Sequence, residues 1–371
     1  MSLGVSAGVG HSTASVAAEP ITRVVMDQDG LGLTPAEVIS RLSRIAESDA
    51  VEPDQYGVGD SVAAMESYFA KVLNKPYALF MPSGTLANQL ALRVLAGEDR
   101  RVAVQTISHV YNDTGDACQT LSGLSLIPLG ADQATFTARE VQEAQFRTAT
   151  GRVRAKIGVI SIETPVRRAS GELFDHAEML RICQWARGEG IRLHLDGARL
   201  FIASAYSSIA PADYAGPFDT VYVSLWKCFN CLNGAILAGI DEVMFDRLFH
   251  LRRMFGGALF HAWPFATLAR HYAQGYVERL QTAIRVSETF ITQVAGAKMQ
   301  IERIPNGSNI FRLRVAAAKA VSLRDSLMTK AVVLPKWGTS DGQAIFQLHV
   351  NESWNGRDGG ELATMFKRAA A

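Results

Sequence analysis

Seven short runs of apolar and β-branched residues pace the middle of the chain: Tyr77–Met81, Val102–Val104, Ser125–Leu129, Ile157–Ile162, Ile191–Leu195, Val221–Leu225 and Ala235–Ala238. Helical segments separate several of them, among them an apolar one over Leu86–Leu95 and another over His176–Arg187. A strand with apolar residues on both faces must be covered on both faces. Such strands, alternating with helices, predict an α/β fold with a largely parallel sheet between helical layers. Ligands of these sheets bind outside the carboxyl ends of the strands, so the residues that close each run are where chemistry is expected.

The flanks complete the outline. Leu33–Ile45 reads as a helix, with Val38, Leu42 and Ile45 on one stripe, Thr34 as its cap and Pro35 in its first turn. Ser61–Leu73 repeats the pattern through Val62, Met65, Phe69, Val72 and Leu73. After about Pro264 the texture changes. A long helical stretch to about Ala295 leads into alternating strands at Ile310–Val315 and Ala344–Val350, which predicts a smaller α+β domain. The expected division is a flexible N-terminal arm over 1–22, a large domain over 23–264 and a small domain over 265–371. A chain of 371 residues has room for both domains.

Composition narrows the setting. Thirty-seven basic residues against thirty-six acidic ones give no support to a nucleic-acid or membrane-surface role. The first twenty residues hold no Lys or Arg, unlike a signal peptide, and no apolar run is long enough to span a bilayer. Four cysteines do not suggest a disulfide framework, so a reduced, cytoplasmic location is expected.

Several residues near the run ends can carry chemistry. Ser83-Gly84-Thr85 lies at a strand-to-helix junction, where free N–H groups and the helix dipole suit an anion; the same residues also suit an ordinary cap. His109 follows Val102–Val104 and can stack on a flat ring and move protons, or simply lie at the surface. Asp196 follows the run Ile191–Leu195 and needs a partner, since an unpaired buried charge is costly. That partner is either a protonated ligand nitrogen or Arg199, and Arg199 can instead form a bidentate pair with a substrate carboxylate. Lys227 sits among Leu225, Trp226, Cys228 and Phe229, surroundings that lower an amine pKa and make it nucleophilic. Asp196 and Lys227, each expected to close a strand, place an anion and an amine at one mouth of the sheet. That pair is what pyridoxal 5′-phosphate (PLP) requires: an amine for its aldehyde and a carboxylate for its ring nitrogen. Cys228 and Cys231 supply two thiols where a structural zinc site takes four ligands, so they read as small packing residues, and no metal is expected.

The order of these motifs resembles that of the L-threonine aldolase and β-eliminating lyase family of fold-type I PLP enzymes. The resemblance runs from about Tyr56 to Gly257. It rests on Tyr56-Gly57, the stretch Phe80-Met81-Pro82-Ser83-Gly84-Thr85-Leu86-Ala87-Asn88-Gln89, Ser108-His109, the stretch His194-Leu195-Asp196-Gly197-Ala198-Arg199-Leu200, and Arg252-Arg253-Met254-Phe255-Gly256-Gly257. It implies that Lys227 forms the Schiff base, Asp196 pairs with the pyridine nitrogen and His109 stacks on the ring and takes part in catalysis. It also implies that Ser83, Gly84, Thr85 and Ser224 hold the cofactor, that Arg199 meets a cofactor oxygen or the substrate carboxylate, and that Arg252 reaches a phosphate. The implied assembly is a homodimer or homotetramer with active sites at the subunit interface, acting on a small amino acid.

The pattern departs from the family on the substrate side. Family aldolases carry Glu-Asn-Thr-His-Asn where this chain has Glu163-Thr164-Pro165-Val166-Arg167-Arg168, and no histidine lies between His109 and His176. The usual Ser-Lys-Gly-Leu-Gly becomes Trp226-Lys227-Cys228-Phe229-Asn230, and Gln347 stands in for a carboxylate-binding arginine. Arg168, with Arg167, Arg312 and Arg314, is a candidate to restore that contact. The expected reaction is cleavage of Cα–Cβ in threonine or allo-threonine, giving glycine and an aldehyde. β-Elimination, racemisation or transamination on the same scaffold is the alternative, followed by a PLP-binding homologue without catalysis.

Overall fold

The structure, a computed structural model, describes residues 22–296 and 298–371. All but the last residue of the expected N-terminal arm lies outside the described residues.

The first strand, β1 (Val24–Val25), belongs spatially with the C-terminal elements. The central sheet follows: β2 (Tyr77–Met81), β3 (Arg101–Gln105), β4 (Ser125–Leu129), β5 (Ile157–Glu163), β6 (Arg192–Asp196), β7 (Thr220–Ser224) and β8 (Ala235–Gly239). Their order is β2-β8-β7-β6-β5-β3-β4. Four contiguous pairings are parallel, and β8 alone runs against both its neighbours. Every residue of β5, β7 and β8 is buried; β8 accordingly carries no polar residue, while β7 alternates Thr220, Tyr222 and Ser224 with two valines beneath a covering helix. The fold is therefore the fold-type I α/β architecture that the apolar runs and the resemblance imply.

Two features of register set up the site. Glu163 of β5 pairs with Asp196 of β6, and Asp196 pairs with Tyr222 of β7, so three polar side chains stand in one row near the carboxyl edge. Alternation then puts His194 and Asp196, with Thr220, Tyr222 and Ser224, on one face of the sheet. That face lies beneath the helix Gly84–Ala96.

The C-terminal part holds an antiparallel sheet of β9 (Gln300–Arg303), β10 (Ile310–Ala316), β12 (Trp337–Ser340) and β13 (Gln343–His349), in the order β12-β13-β10-β9. Between β10 and β12 lies β11 (Val332–Val333), which pairs with β1. The chain after β1 then crosses to the central sheet. His349 N donates to Met26 O, and Leu31 N donates to Asn230 Oδ1.

Two expectations are corrected. The stretch from about Pro264 to Ala295 is two helices, Trp263–Ala273 and Tyr276–Val294. Gly275 breaks it at φ 64°, a left-handed conformation that glycine adopts without strain. Arg279 donates to the freed carbonyls of Gln274 and Tyr272. Lys227 does not close a strand either. β7 stops at Ser224, and Lys227 lies on a one-turn helix, Leu225–Cys228. The apolar run continues through the turn, so its pattern alone cannot mark where extended backbone ends.

Candidate active site

Asp196 stands at the end of β6, 2% exposed, and is held by a buried chain of hydrogen bonds. Asn88 Nδ2 donates to Asp196 Oδ2 at 2.6 Å, and Ala198 N donates to Oδ1 at 3.2 Å. Asn88 Oδ1 must then accept from His194 Nε2 at 2.9 Å, which leaves His194 Nδ1 to accept from Thr220 Oγ1 at 2.8 Å. Burial pushes the His194 imidazole down to about 4, against the pull of Asp196, so it is neutral at pH 7 as this tautomer requires. The chain fixes one carboxylate and leaves its outer edge for a cationic ligand atom.

Arg199 is not the partner of Asp196. Its Nε donates to Asp29 Oδ2 at 2.7 Å, a residue on the crossing segment after β1. Asp29 Oδ1 also accepts from Asn309 Nδ2 at 3.0 Å and from His349 Nδ1 at 3.1 Å. No acceptor among the described residues takes Arg199 Nη1 or Nη2, so Asp29 grips one edge of the guanidinium and leaves the fork free.

Lys227 is buried, and burial pushes its amine down to about 8, with the positive charge of Arg199 adding to the effect. It lines a cavity of about 360 Å³ together with Asp29, Arg199, Trp226, Asn230 and His349. Lys227, Arg199 and His349 come from distant parts of the sequence and meet at one wall.

Ser83 caps the helix Gly84–Ala96 in extended conformation, its hydroxyl accepting from Leu86 N at 3.3 Å. Gly84 and Thr85 form the first turn. A Cβ on Gly84 would lie 1.9 Å from Tyr222 Oη, so only glycine fits there. Ser224 is fully buried, and apart from the Tyr222 phenol beside it its Oγ has no partner among the described residues.

His109 opens the short helix His109–Asn112 and is half-buried, with its pKa lowered chiefly by burial. Its backbone N donates to Glu163 Oε2 at 2.6 Å, while Glu163 Oε1 accepts from Arg167 N at 2.9 Å. Glu163 thus ties the His109 turn to the loop after β5. Burial, with the charge of Asp196 adding to it, raises the Glu163 carboxyl to about 7. A carboxyl raised in the fold contributes stability that is full below its unfolded value of 4.5 and lost as pH rises through 7. Glu163→Gln is expected to flatten that dependence, the apoprotein losing up to about 3 kcal/mol less than wild type across the window. Denaturation series between these limits check it; a wild-type stability that is level there would refute it.

The other arginines are engaged elsewhere. Arg168 pairs with Asp113 at 2.7 Å in an exposed position, together with Arg167. Arg312 and Arg314 both pair with Glu302 and line a second cavity of about 570 Å³, which has Asp27 and His349 in common with the first. Arg252 is 2% exposed and donates to Phe80 O at 2.6 Å and Tyr56 O at 3.3 Å, with Phe249 stacked on its guanidinium. Its hydrogen bonds brace the end of β2 rather than reach a cavity. Cys228 and Cys231 are buried free thiols, and Cys231 Sγ donates to Asn233 O at 2.8 Å. Among the described residues no cluster of His, Cys, Asp and Glu has the arrangement of a metal site.

Four contributors escape a reading of the sequence as single motifs. Glu163 closes its strand as Asp196 does, and that shared signal could have found it. Asn88 is a buried amide, next to Gln89, in a largely apolar helix, again a usable signal. Asp29 and His349 carry no local mark.

A family model described as beta-eliminating lyase matches residues 37–317. The chain belongs to the beta-eliminating lyase family. Among curated relatives of this family member, a low-specificity L-threonine aldolase of Candida albicans is 28% identical over 61% of the chain and 60% of that protein. Alanine racemase TOXG of Cochliobolus carbonum is 26% identical over 54% of the chain and 50% of that protein. The chain thus spans little more than half the length of the curated relatives it matches. A solved structure from Listeria monocytogenes, assigned provisionally as an L-allo-threonine aldolase, has a TM-score of 0.75 at 27% identity and covers 92% of the chain and 95% of its own.

The cofactor of this beta-eliminating lyase family is PLP, and the residues fit it. The helix start at Ser83-Gly84-Thr85, backed by the buried Ser224 Oγ, suits a phosphate. The outer edge of Asp196 suits a protonated ring nitrogen, and Lys227 offers an amine of lowered pKa.

Proposed function

We propose that this chain is a PLP-dependent lyase that cleaves Cα–Cβ of a small β-hydroxy-α-amino acid, threonine or allo-threonine, to glycine and an aldehyde. The observation that carries this reading is the single cavity lined by Lys227, the free fork of Arg199 and the imidazole of His349. When bound, PLP supplies an aldehyde for an amine and a ring that takes up the electrons of the broken bond. Lys227 would hold the cofactor through its Nζ, and its lowered pKa keeps a fraction of the amine free of its proton near pH 7.5. Asp196, kept in place by Asn88 and Ala198 N, would face the ring nitrogen and hold a proton there. His109 covers one face of the ring, its position set by Glu163. Ser83, Gly84, Thr85 and Ser224 bind the phosphate.

Arg199 Nη1 and Nη2 receive the substrate carboxylate, since Asp29 already holds Nε. Asp29 also accepts from His349 Nδ1, so His349 Nε2 is free to take the proton of the substrate β-hydroxyl. This histidine supplies the base that the loop after β5 lacks. Arg252 supports the strand end below the phosphate, and Arg168 positions the His109 turn through Asp113.

We also propose a homo-oligomer with the site near the subunit contact. Tyr56 and Phe260 stack edge-to-face at 5.3 Å and, with Val58 and Met254, stay exposed in one subunit. No helix among the described residues is long and apolar enough to cross a membrane.

Racemisation or β-elimination is the second reading, favoured by the missing histidine in Glu163-Thr164-Pro165-Val166 and by the likeness to an alanine racemase. Holoenzyme incubated with L-threonine, L-allo-threonine, L-serine and L-alanine separates the two. Glycine and acetaldehyde are expected, with His349→Asn lowering kcat for cleavage by about a hundredfold or more. Pyruvate with ammonia, or D-alanine, in place of acetaldehyde would establish the second reading.

A further inference from the structure

Tyr222 precedes Ser224 by two positions on β7, so both side chains rise on the face beneath the helix Gly84–Ala96. The phenol reaches the first residue of that helix: its Oη fills the place a Cβ on Gly84 would need. Free backbone N–H groups collect at this end of the helix. Beside the phenol lies Ser224, fully buried, whose Oγ meets the Tyr222 phenol and has no other partner among the described residues. Tyr222 itself is 4% exposed, and burial, with Asp196 adding to it, raises its pKa, so the phenol keeps its proton and remains a donor.

Two buried hydroxyls that have only each other share one donated proton between them and leave one O–H unused, and at a helix start that calls for an acceptor carrying negative charge. The cap hydroxyl of Ser83 accepts from Leu86 N and keeps its own O–H as a further donor at the helix start. We propose that Tyr222 and Ser224 form the floor of the phosphate site, with Tyr222 Oη donating to a phosphate oxygen and Ser224 Oγ providing a second donor. The proposal rests on the PLP reading above and adds to it a residue that recognises the phosphate rather than the ring. It also explains why the helix opens with glycine: any side chain there would displace the phenol.

The test compares PLP with pyridoxal, which has the same ring and aldehyde but no phosphate. Apoprotein resolved from the full-length holoenzyme is titrated with each ligand and followed by absorbance. Tyr222→Phe is expected to weaken PLP by about ten- to a hundredfold, the range for losing a hydrogen bond to a charged group, and to leave pyridoxal within about twofold. Ser224→Ala is expected to act in the same direction and serves as the second variant should the first fail to fold. Unchanged PLP affinity in both variants, or equal losses for PLP and pyridoxal, would overturn the proposal. Wild-type apoprotein that binds neither ligand would overturn the cofactor reading beneath it, an outcome distinct from both.

Discussion

Lys227→Ala leaves a protein that no longer fixes PLP covalently. Borohydride treatment of wild-type holoenzyme is expected to add one reduced cofactor to the peptide that contains Lys227, and treatment of the variant to add none. Cleavage should fall by about a thousandfold or more, since the variant loses a covalent step and a proton carrier together. The decisive comparison is Lys75. Burial pushes that amine down to about 8 as well, the same value as Lys227. Yet Lys75 Nζ donates to Phe218 O at 2.7 Å and Gly216 O at 3.4 Å, so its ammonium is bonded to backbone. Lys227 has no hydrogen-bond acceptor among the described residues and lines the cavity with Arg199. At pH 7.5 a lysine with pKa 8 is about one quarter unprotonated, against about a thousandth for one at 10.5. Geometry, not the pKa, separates the two. Label found on Lys75 instead would refute the assignment.

Asp29→Ala should be among the most destabilising single changes in the chain. It strands the Arg199 guanidinium, 12% exposed, without a counter-charge, and it releases Asn309 and His349 at once. Breaking one side of a buried ion pair costs about 3–5 kcal/mol. Burial alone would raise the Asp29 carboxyl, but Arg199, His349 and Asn309 together hold it well below the usual carboxylate range. Its stabilising contribution is therefore full above about pH 4 and fades as pH falls toward the depressed value. Chemical denaturation of the apoprotein should show the whole deficit of the variant at pH 7 and a shrinking one below pH 4. The residual protein should also show a raised KM for amino acid substrate, because Arg199 and His349 lose their common anchor. A loss below about 1 kcal/mol at pH 7, the range of exposed pairs, would show that the Asp29 cluster is not the clasp described.

These two residues mark the boundary between what is local and what is not. Asp196 and Ser83 are legible in the sequence because strand ends and helix caps are written in a few adjacent residues. The α/β fold is legible for the same reason: burial on both faces leaves its mark as runs of apolar residues, unbroken in β8 and nearly so in β5. The turn at Lys227 and the break at Gly275 leave no mark in the sequence, because the helical or apolar pattern runs on through the change of backbone.

The sequence by itself determined the parallel sheet, the helix start that suits a phosphate, and the Asp196 and Lys227 pair. Each follows from periodicity or from chemistry carried by neighbours in the chain. Only the tertiary structure decided which charges meet. Arg199 and Asp29 are 170 residues apart, and His349 and Asp29 are 320 apart. The pairing across β5, β6 and β7 that brings Glu163, Asp196 and Tyr222 into one row depends on strand register. A guanidinium takes the carboxylate that packing brings within hydrogen-bond reach, and no spacing along the chain encodes that distance.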